Sequence, residues 1–272
     1  MNQNERLDYI VNALKEDSQN YKKMEVPRQD RRMVMRSLMN IRMPKPINGD
    51  FLNIQDQYLS EEAKEKGIVQ LQDILTVKEA HGSSHLHGDK ISIWQGDITR
   101  LAADGIVNAA NSQMLGCFVP CHKCIDNAIH SAAGIELREA CNQYMENRRS
   151  KYGRNYEEPT GSAVVTLGYN LPSKYVIHTV GPIVGWKVTE DLKTDLRNCY
   201  QSCLNAALVH GMRSIAFCCI STGEFHFPND KAARIAVETV TEFLNDHEES
   251  FDRIIFNVFK DLDKEIYEKL LV

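Results

Sequence analysis

The sequence predicts an α/β fold in which helices cover both faces of a mixed, mainly parallel sheet. From about residue 89, short β-branched or aromatic runs alternate with longer stretches of helical periodicity. Such alternation is typical of βαβ units, which build a three-layer α/β/α sandwich. Residues 1–88 show helical periodicity alone. We therefore predict a helical N-terminal extension over residues 1–88 and one domain over residues 89–272.

The extension is predicted to contain helices separated by a proline-rich break. Leu7, Ile10, Val11 and Leu14 share one helical face. The stretch MPKPINGD then interrupts the helices, because two prolines and a glycine lie so close together. A later helix, SEEAKEKGIVQLQDILTV, is predicted to begin at a Ser60 cap. Since no catalytic cluster is visible here, we expect the extension to pack on or orient the domain.

The domain is predicted to contain six strands with helices between them. The strands are ISIWQGDI, GIVNAA, AVVTLG, YVIHTVGP, SIAFCCIST and RIIFNVF, and the helices run through Ile125–Tyr144, Leu192–Leu208, Ala232–Leu244 and DKEIYEKLL. In sheets of this kind, ligands bind at the carboxyl ends of the strands. Three polar stretches follow strands in this way: GDIT, NAAN and STGEFHFP. They are the candidates for a ligand site.

Composition and charge are those of an ordinary globular protein. The formal net charge of -5 includes no basic excess that would suggest a nucleic-acid surface. No apolar run approaches the roughly 18 residues of a bilayer span, and the polar N-terminus lacks the apolar core of a signal peptide. We therefore expect a cytoplasmic protein without membrane or nucleic-acid partners. In that compartment the eight cysteines favour metal binding or catalysis over disulfide bonds.

The stretch STGEFHFP runs from an apolar strand into a helix. Ser221, Thr222 and Gly223 can present N–H groups and hydroxyls to an anion at the positive end of that helix. An ordinary Ser/Thr/Gly turn is the alternative. Neither GxxxxGK[ST] nor a GxGxxG after the first strand is present, so the P-loop and dinucleotide fingerprints are excluded.

The stretches NAAN and GDIT offer polar side chains at two further strand ends. Carboxamides can both donate to and accept from the vicinal hydroxyls of a ribose. We expect Asn108 to be structural and Asn111 to face a ligand, although either asparagine can close a turn. Asp97 can accept a hydrogen bond from an exocyclic amine or simply cap a turn.

The stretch GCFVPCHKCIDNAIH concentrates three cysteines and two histidines. Two thiolates and one imidazole, as in Cys117, His122 and Cys124, form a tetrahedral zinc set with one position open, which is the catalytic arrangement. Iron–sulfur binding fits less well, because it requires four thiolates. Cys121 is an alternative ligand, and a redox pair of Cys121 and Cys124 is a further interpretation.

Taken together, GDIT, NAAN, IHSAAG, HTVGP and CCISTGEFHFPNDKAARIA resemble, in type and order, the macrodomain family, whose members bind ADP-ribose. The resemblance covers about residues 90–272. It implies that Asp97 and the backbone of Ile98 contact the adenine, and that Phe259 packs beside it. It also implies that Asn111 lies near the distal ribose. The residues implied around the diphosphate are Ser221, Thr222, Gly223, Glu224 and Phe225.

The cysteine-rich stretch departs from the glycine run of common hydrolytic macrodomains. It is similar instead to the signature GCFxPxHxCIDNxIH of zinc-containing, sirtuin-linked macrodomains of microbes, and every fixed position is present. This resemblance implies a Zn²⁺ cofactor held by Cys117, His122 and Cys124, with Cys121 at a variable position. It implies a protein-ADP-ribosyl hydrolase, a sirtuin encoded with it, and a lipoyl-carrier protein similar to the glycine cleavage H protein as the modified partner.

The implied reaction is a glycosidase-type hydrolysis that removes mono-ADP-ribose from a protein side chain, in particular an Asp or Glu ester. Asn111 is expected to orient the ribose, and Asp126 is the candidate to accept a proton. The alternatives are an ADP-ribose reader without activity and an O-acetyl-ADP-ribose deacetylase. We expect His130 to lie near the core. His81, His85 and His87 are expected to be exposed, and we assign them no metal.

Overall fold

The computed structural model describes residues 1–272, and a six-stranded sheet lies at the centre of the domain. The strands of the chain are β1 (Val69–Gln70), β2 (Ile91–Gln95), β3 (Leu101–Ala102), β4 (Gly105–Ala110), β5 (Ala163–Leu167), β6 (Tyr175–Val180), β7 (Ser214–Phe217) and β8 (Arg253–Val258). The sheet order is β2-β8-β7-β4-β6-β5, and only β5 runs antiparallel to its neighbour. Strands β1 and β3 form a separate parallel pair. The predicted mixed, mainly parallel sheet is confirmed.

Helices cover both faces of this sheet, as the α/β/α prediction requires. The helices are α1 (Gln3–Asp17), α2 (Arg31–Ile41), α3 (Gly49–Lys66), α4 (Val77–His81), α5 (Ile125–Ala133), α6 (Ile135–Tyr152), α7 (Glu190–Val209), α8 (Asn229–His247) and α9 (Asp261–Leu271). Helix α5 packs on β4 and α6, whereas α7, α8 and α9 pack in succession. No helix is long and apolar enough to cross a membrane.

The domain core explains why the strands and helices form where they do. Strand β7 is buried at every residue, and β4 at all but one, which is the pattern of parallel strands covered on both faces. Helix α7 turns one apolar stripe inward, with Leu196, Cys199, Tyr200 and Cys203 at the spacing of one helical face. Burial of these side chains therefore places the strand ends, and the loops that follow them, at one edge of the sheet.

Helices α1, α2 and α3 share a core that Ile135 of α6 completes, whereas Val77 of α4 lies in the core of the domain. Ile10, Val11 and Leu14 are buried there, and Leu7 packs against them, so the predicted apolar face of α1 is confirmed. The predicted cap at Ser60 is wrong. Helix α3 begins earlier, because the Asn48 side chain accepts the Phe51 N–H at 2.8 Å, and it continues through Ser60 to Lys66.

A second difference concerns the helix predicted over Ile125–Tyr144. The helix is interrupted at Gly134, where φ is +99°, a conformation that glycine adopts without strain. Helix α6 then begins at Ile135, whose N–H is accepted by Gln55 Oε1 of the extension at 3.0 Å. The break could not be predicted from the sequence, because a residue 80 positions away satisfies the new helix end.

The histidines that precede the domain differ from the prediction of exposure. His87 is buried, and its Nε2 lies 2.9 Å from Asn245 Oδ1 of α8. His85 is half-buried beside Thr241, while His81 is exposed. This segment packs against a domain helix and does not form a free loop, which is why the burial of His87 was missed.

Candidate metal and ligand-binding site

Three loops follow strands β2, β4 and β7 at the carboxyl edge of the sheet. We call them the Asp97 turn (97–100), the metal loop (117–124) and the anion loop (221–227). The metal loop and the anion loop are in contact, since His122 Nε2 lies 3.7 Å from Glu224 Oε1. Because β2, β8, β7 and β4 are successive neighbours in the sheet, their carboxyl ends bring these loops to one edge.

The metal loop brings together the three residues predicted as ligands. One ligand atom from each of Cys117, His122 and Cys124 lies within 4.8 Å of the other two. Thiolates on one tetrahedral zinc ion stand about 3.8 Å apart, so the cluster has the right size. His122 Nδ1 is buried without a hydrogen-bond partner. The donor set and this unpaired nitrogen fit a zinc ion.

Cys124 has a second role as the N-cap of α5. Its Sγ accepts the N–H of Asn127 at 3.4 Å, at the positive end of the helix. Burial nevertheless raises the pKa of Cys124 to about 12, and the Asn127 bond offsets this only in part. The thiolate therefore depends on a cation, because metal binding displaces the thiol proton.

Cys121 stands apart from the three clustered residues. Its Sγ lies 3.2 Å from Ser37 Oγ of α2 and outside the cluster of potential ligands. Its φ is +51°, so the backbone turns sharply between the ligands. All eight cysteines are free thiols. The geometry thus favours Cys117 over Cys121 as the second thiol ligand.

Asp126 lies in the first turn of α5, directly after the metal loop, in a buried polar network. It is 4% exposed and accepts a hydrogen bond from Asn108 Nδ2 at 2.8 Å. Burial raises the pKa of Asp126 to about 6, although the Asn108 bond opposes the shift. Asn108 also lies 3.1 Å from His178 Nδ1, so its structural role agrees with the prediction. A carboxyl that titrates near neutrality is suited to proton transfer.

His130, Cys141 and His178 form a second cluster, wholly inside the core. His178 is already engaged on both ring nitrogens, by Asn108 and by Thr166 Oγ1 at 2.9 Å. Burial lowers the pKa of His178 to about 3 and that of His130 well below its usual value. We interpret this cluster as packed and neutral, and although neither ring nitrogen of His130 has a hydrogen-bond partner, its burial agrees with the prediction that it lies near the core.

The neutral state of His178 predicts how stability depends on pH. The unfolded imidazole binds a proton near pH 6.5, whereas the folded one does so only near pH 3. Between these values the unfolded state holds the extra proton, so the contribution of His178 to the free energy of unfolding falls by about 1.4 kcal/mol per pH unit as pH is lowered. Urea unfolding of a His178→Gln protein should show that slope reduced by one proton. The exposed-histidine variant His81→Gln should keep it, and equal slopes in all three proteins would contradict the prediction.

The anion loop has the geometry of an anion-binding nest. Ser221 and His226 adopt φ of +64° and +57°, the left-handed backbone conformation that is typical of anion-binding nests. The N–H groups of Gly223, Glu224 and Phe225 make no hydrogen bond within the chain. Ser221 Oγ is also buried without a partner. The loop therefore presents several donors to a negatively charged ligand.

The Asp97 turn is held by hydrogen bonds of its own and by Asn257, a residue that the sequence did not suggest. Asp97 Oδ1 accepts from both the N–H (3.0 Å) and the hydroxyl (2.7 Å) of Thr99, so the capping alternative is realised. Asn257 Nδ2 of β8 donates to the carbonyls of Trp94 and Gly96, which lie just before the turn. The second carboxylate oxygen of Asp97 accepts no hydrogen bond within the chain and is available to a ligand.

The remaining predicted ligand contacts are spread along this edge. Phe259 follows β8 and is 76% exposed, and its carbonyl is 3.4 Å from Gln95 Nε2 beside the Asp97 turn. Ile98 is buried, so its side chain cannot reach a ligand. Asn111 Oδ1 accepts the Gln113 N–H at 3.0 Å, and its Nδ2 is 3.4 Å from the Gly116 carbonyl. Asn111 thus closes the turn that leads into the metal loop.

The sequence analysis missed two residues of α5 and α6 that contact the metal loop, Asn127 and Arg138. Arg138 is buried and donates to the carbonyls of Leu115 and Met39, and its guanidinium lies 4.3 Å from the Phe118 ring centroid. Asn127 Nδ2 donates to the Val119 carbonyl at 2.9 Å. Asn127 stands in the CIDN of the motif and was visible as a candidate, whereas nothing in the sequence marks an arginine within α6 as buried.

Comparisons with known proteins agree with this geometry. Residues 107–236 match the family model of the Macro domain. The chain is 45% identical over 273 residues, with 100% of both chains covered, to "Protein-ADP-ribose hydrolase" of Treponema medium. It is 42% identical over 254 residues to "Probable bifunctional ADP-ribose hydrolase/ADP-ribosyltransferase" of Fusarium oxysporum f. sp. cubense, covering 88% of this chain and 40% of that one.

A solved structure shares the same architecture. The macrodomain of Trypanosoma brucei in complex with ADP-ribose has a TM-score of 0.64 and 30% sequence identity, covering 86% of this chain and 94% of its own. The strand order, the loops at the strand ends and these likenesses lead to one conclusion. The chain belongs to the macrodomain family.

Proposed function

We propose that the protein is a zinc-containing hydrolase that removes mono-ADP-ribose from Asp or Glu esters of modified proteins. One observation carries the proposal: a Cys₂His cluster of catalytic type stands in contact with an anion-binding loop at the carboxyl edge of the sheet. The Treponema relative, matched over its full length, is named a protein-ADP-ribose hydrolase, which supports an enzyme acting on the ADP-ribosyl linkage.

Each loop has a part in holding the substrate. The anion loop, from Ser221 to Phe225, would bind the diphosphate, chiefly through the free N–H groups of Gly223, Glu224 and Phe225. Asp97 and the backbone of Ile98 would contact the adenine, with the exposed ring of Phe259 beside it. Binding energy from these remote groups would position the C1″ carbon of the distal ribose at the metal loop.

Cys117, His122 and Cys124 would hold zinc beside that ribose. When bound, the ion supplies Lewis-acid stabilisation of negative charge on an oxygen of the ribose or of the attacking water. Asn111 would orient the ribose through the amide hydrogen that its turn-closing bonds leave free. Asp126, whose pKa of about 6 leaves it mostly ionised at neutral pH, would accept the proton released during hydrolysis.

The partners belong to the same proposal. A sirtuin would attach the ADP-ribose, and a lipoyl-carrier protein similar to the glycine cleavage H protein would carry it. The Fusarium relative supports such pairing, because its name joins a hydrolase and an ADP-ribosyltransferase in one chain. A cytoplasmic location fits eight cysteines that are all free thiols.

The decisive experiment is turnover with and without metal. Purified protein is analysed for zinc and incubated with a carrier protein that is mono-ADP-ribosylated on an acidic residue, before and after chelation. We expect about one zinc per chain and release of free ADP-ribose that stops on chelation and returns with zinc. Binding without turnover would identify a reader. Faster turnover of O-acetyl-ADP-ribose than of modified protein would identify a deacetylase of the free metabolite.

The anion loop can be tested by a pair of glycine variants in the segment that follows β6. A methyl group at Gly181 would overlap Ser221 Oγ, so in Gly181→Ala the Ser221 side chain must move from its place in the anion loop. We expect ADP-ribose affinity, measured by calorimetry, to fall about 10- to 100-fold, the equivalent of one or two misplaced hydrogen bonds. Gly185→Ala meets no atom within 4 Å and should bind as the wild type does. Equal affinities in the two variants would refute a diphosphate role for the loop.

A further inference from the structure

Helix α2 of the extension lies directly against the metal loop. Arg36 Nη2 donates to the His122 carbonyl at 3.2 Å and to Asn127 Oδ1 at 2.7 Å. One helical turn later, Asn40 Oδ1 accepts the N–H of Cys121 at 2.9 Å. Side chains of one helix thus hold the backbone of two consecutive loop residues, one of which is a metal ligand.

Asn127 extends this support to the other side of the loop. Because its Oδ1 accepts from Arg36, its Nδ2 is free to donate to the Val119 carbonyl at 2.9 Å. Its backbone N–H donates to Cys124 Sγ at 3.4 Å. Arg36 therefore orients the amide that holds the loop on both sides of His122.

The metal loop has few bonds of its own. It has no helix or strand, and the His122 N–H to Val119 carbonyl bond at 3.2 Å is the backbone bond that closes it internally. The positive φ of Cys121 is a strained conformation for a residue with a side chain. A loop of this kind keeps its ligands in place only if neighbouring elements hold it.

Helix α2 divides its two faces between two tasks. Met35, Leu38 and Met39 are buried in the apolar core of the extension. Arg36 and Asn40, spaced i and i+4, face the domain and its metal loop. The contacts that join α2 to the rest of the extension include the ion pair of Arg31 with Asp8 of α1. If α2 only packed within the extension, its apolar face of Met35, Leu38 and Met39 would be sufficient.

We propose that α2 is a structural part of the metal centre, with Arg36 and Asn40 as positioning residues that fix the His122 ligand through its backbone. The inference rests on the proposed function, since it requires that the metal loop bind zinc. It assigns the extension a role beyond packing: preorganisation of a metal site in another part of the chain. Supporting residues of this kind typically change metal affinity by about 10- to 100-fold.

The test compares two arginine variants of α2 in the full-length protein. Arg36→Gln removes the bonds to the metal loop, whereas Arg31→Gln removes an ion pair within the extension. Zinc affinity is measured by competition with a chromophoric chelator, and ligand geometry by the absorption spectrum of the Co²⁺-loaded protein. We expect about 10- to 100-fold weaker zinc binding and an altered Co²⁺ spectrum for Arg36→Gln. Arg31→Gln should match the wild type in both, and Arg36→Lys, which keeps one donor, should fall between.

The outcomes separate this inference from the proposed function. Equal zinc affinities and Co²⁺ spectra in Arg36→Gln, Arg31→Gln and the wild type would overturn the role of α2 while leaving a zinc hydrolase intact. If Arg36→Gln does not fold, the comparison of Arg36→Lys with Arg31→Gln decides the matter by the same two readouts. A wild-type protein that binds no zinc but releases ADP-ribose would overturn the inference together with the metal site, and turnover would still identify the hydrolase.

Discussion

A Cys124→Ser protein is expected to lose zinc and to hydrolyse ADP-ribosylated protein about 10³-fold more slowly, since a catalytic metal contributes several kcal/mol to the transition state. Serine is an effective N-cap, so it can still accept the Asn127 N–H at the start of α5. The substitution therefore removes the thiolate ligand and retains the helix cap. Metal analysis and turnover measure the two losses in the same preparation.

Cys121→Ser provides the matched control in the same loop. Its thiol is not part of the ligand cluster, and a serine hydroxyl can keep the contact with Ser37. We expect zinc content and turnover close to those of the wild type. The metal assignment would be wrong if Cys121→Ser lost zinc and Cys124→Ser kept it. A Cys124→Ser protein without zinc but with full activity would refute a catalytic role for the metal.

The sheet, its mainly parallel order and the loops at its edge could be predicted because they follow from local pattern. Buried strands such as GIVNAA and SIAF differ from helices in period and length, and polar residues follow them at their carboxyl ends. A metal site could be proposed because cysteines and a histidine crowd into one short stretch, but the choice of Cys117, His122 and Cys124 over Cys121 rested on the resemblance to the zinc-containing signature. Such signals act over a few residues, which is the range at which sequence can be interpreted directly.

The features that were missed depend on contacts between distant segments. Gln55 accepts the first N–H of α6. Asn257 of the neighbouring strand β8 donates to the carbonyls of Trp94 and Gly96 that lead into the Asp97 turn. Arg138 lies in a polar stretch of α6 and is buried because carbonyls of Met39 in α2, of Leu115 and of Cys117 in the metal loop surround it. No local pattern distinguishes these side chains from ordinary surface residues, because their partners are known only once the chain has folded.

An Asp126→Asn protein is expected to bind zinc and ADP-ribose normally and to turn over about 10²- to 10⁴-fold more slowly, the usual contribution of a general base. The change is isosteric. The new amide oxygen can take the place of Oδ1 and still accept from Asn108 Nδ2, while the new NH₂ takes the place of Oδ2. Only the capacity to accept a proton is removed. Single-turnover rates, with calorimetry for the ligand and metal analysis for zinc, separate chemistry from binding.

Asp263→Asn is the matched control, because Asp263 is also a buried aspartate bonded to an asparagine amide, at 2.5 Å from Asn229 Nδ2. It lies on α9, away from the metal loop, so we expect its turnover to stay within a few-fold of the wild type. If Asp126 is the proton acceptor, Asp126→Asn alone must show the large loss in kcat, and its affinities for zinc and ADP-ribose must be preserved. If Asp126→Asn instead lost zinc in proportion to activity, the carboxylate would be a support of the metal loop, and the proton would have to leave through another group.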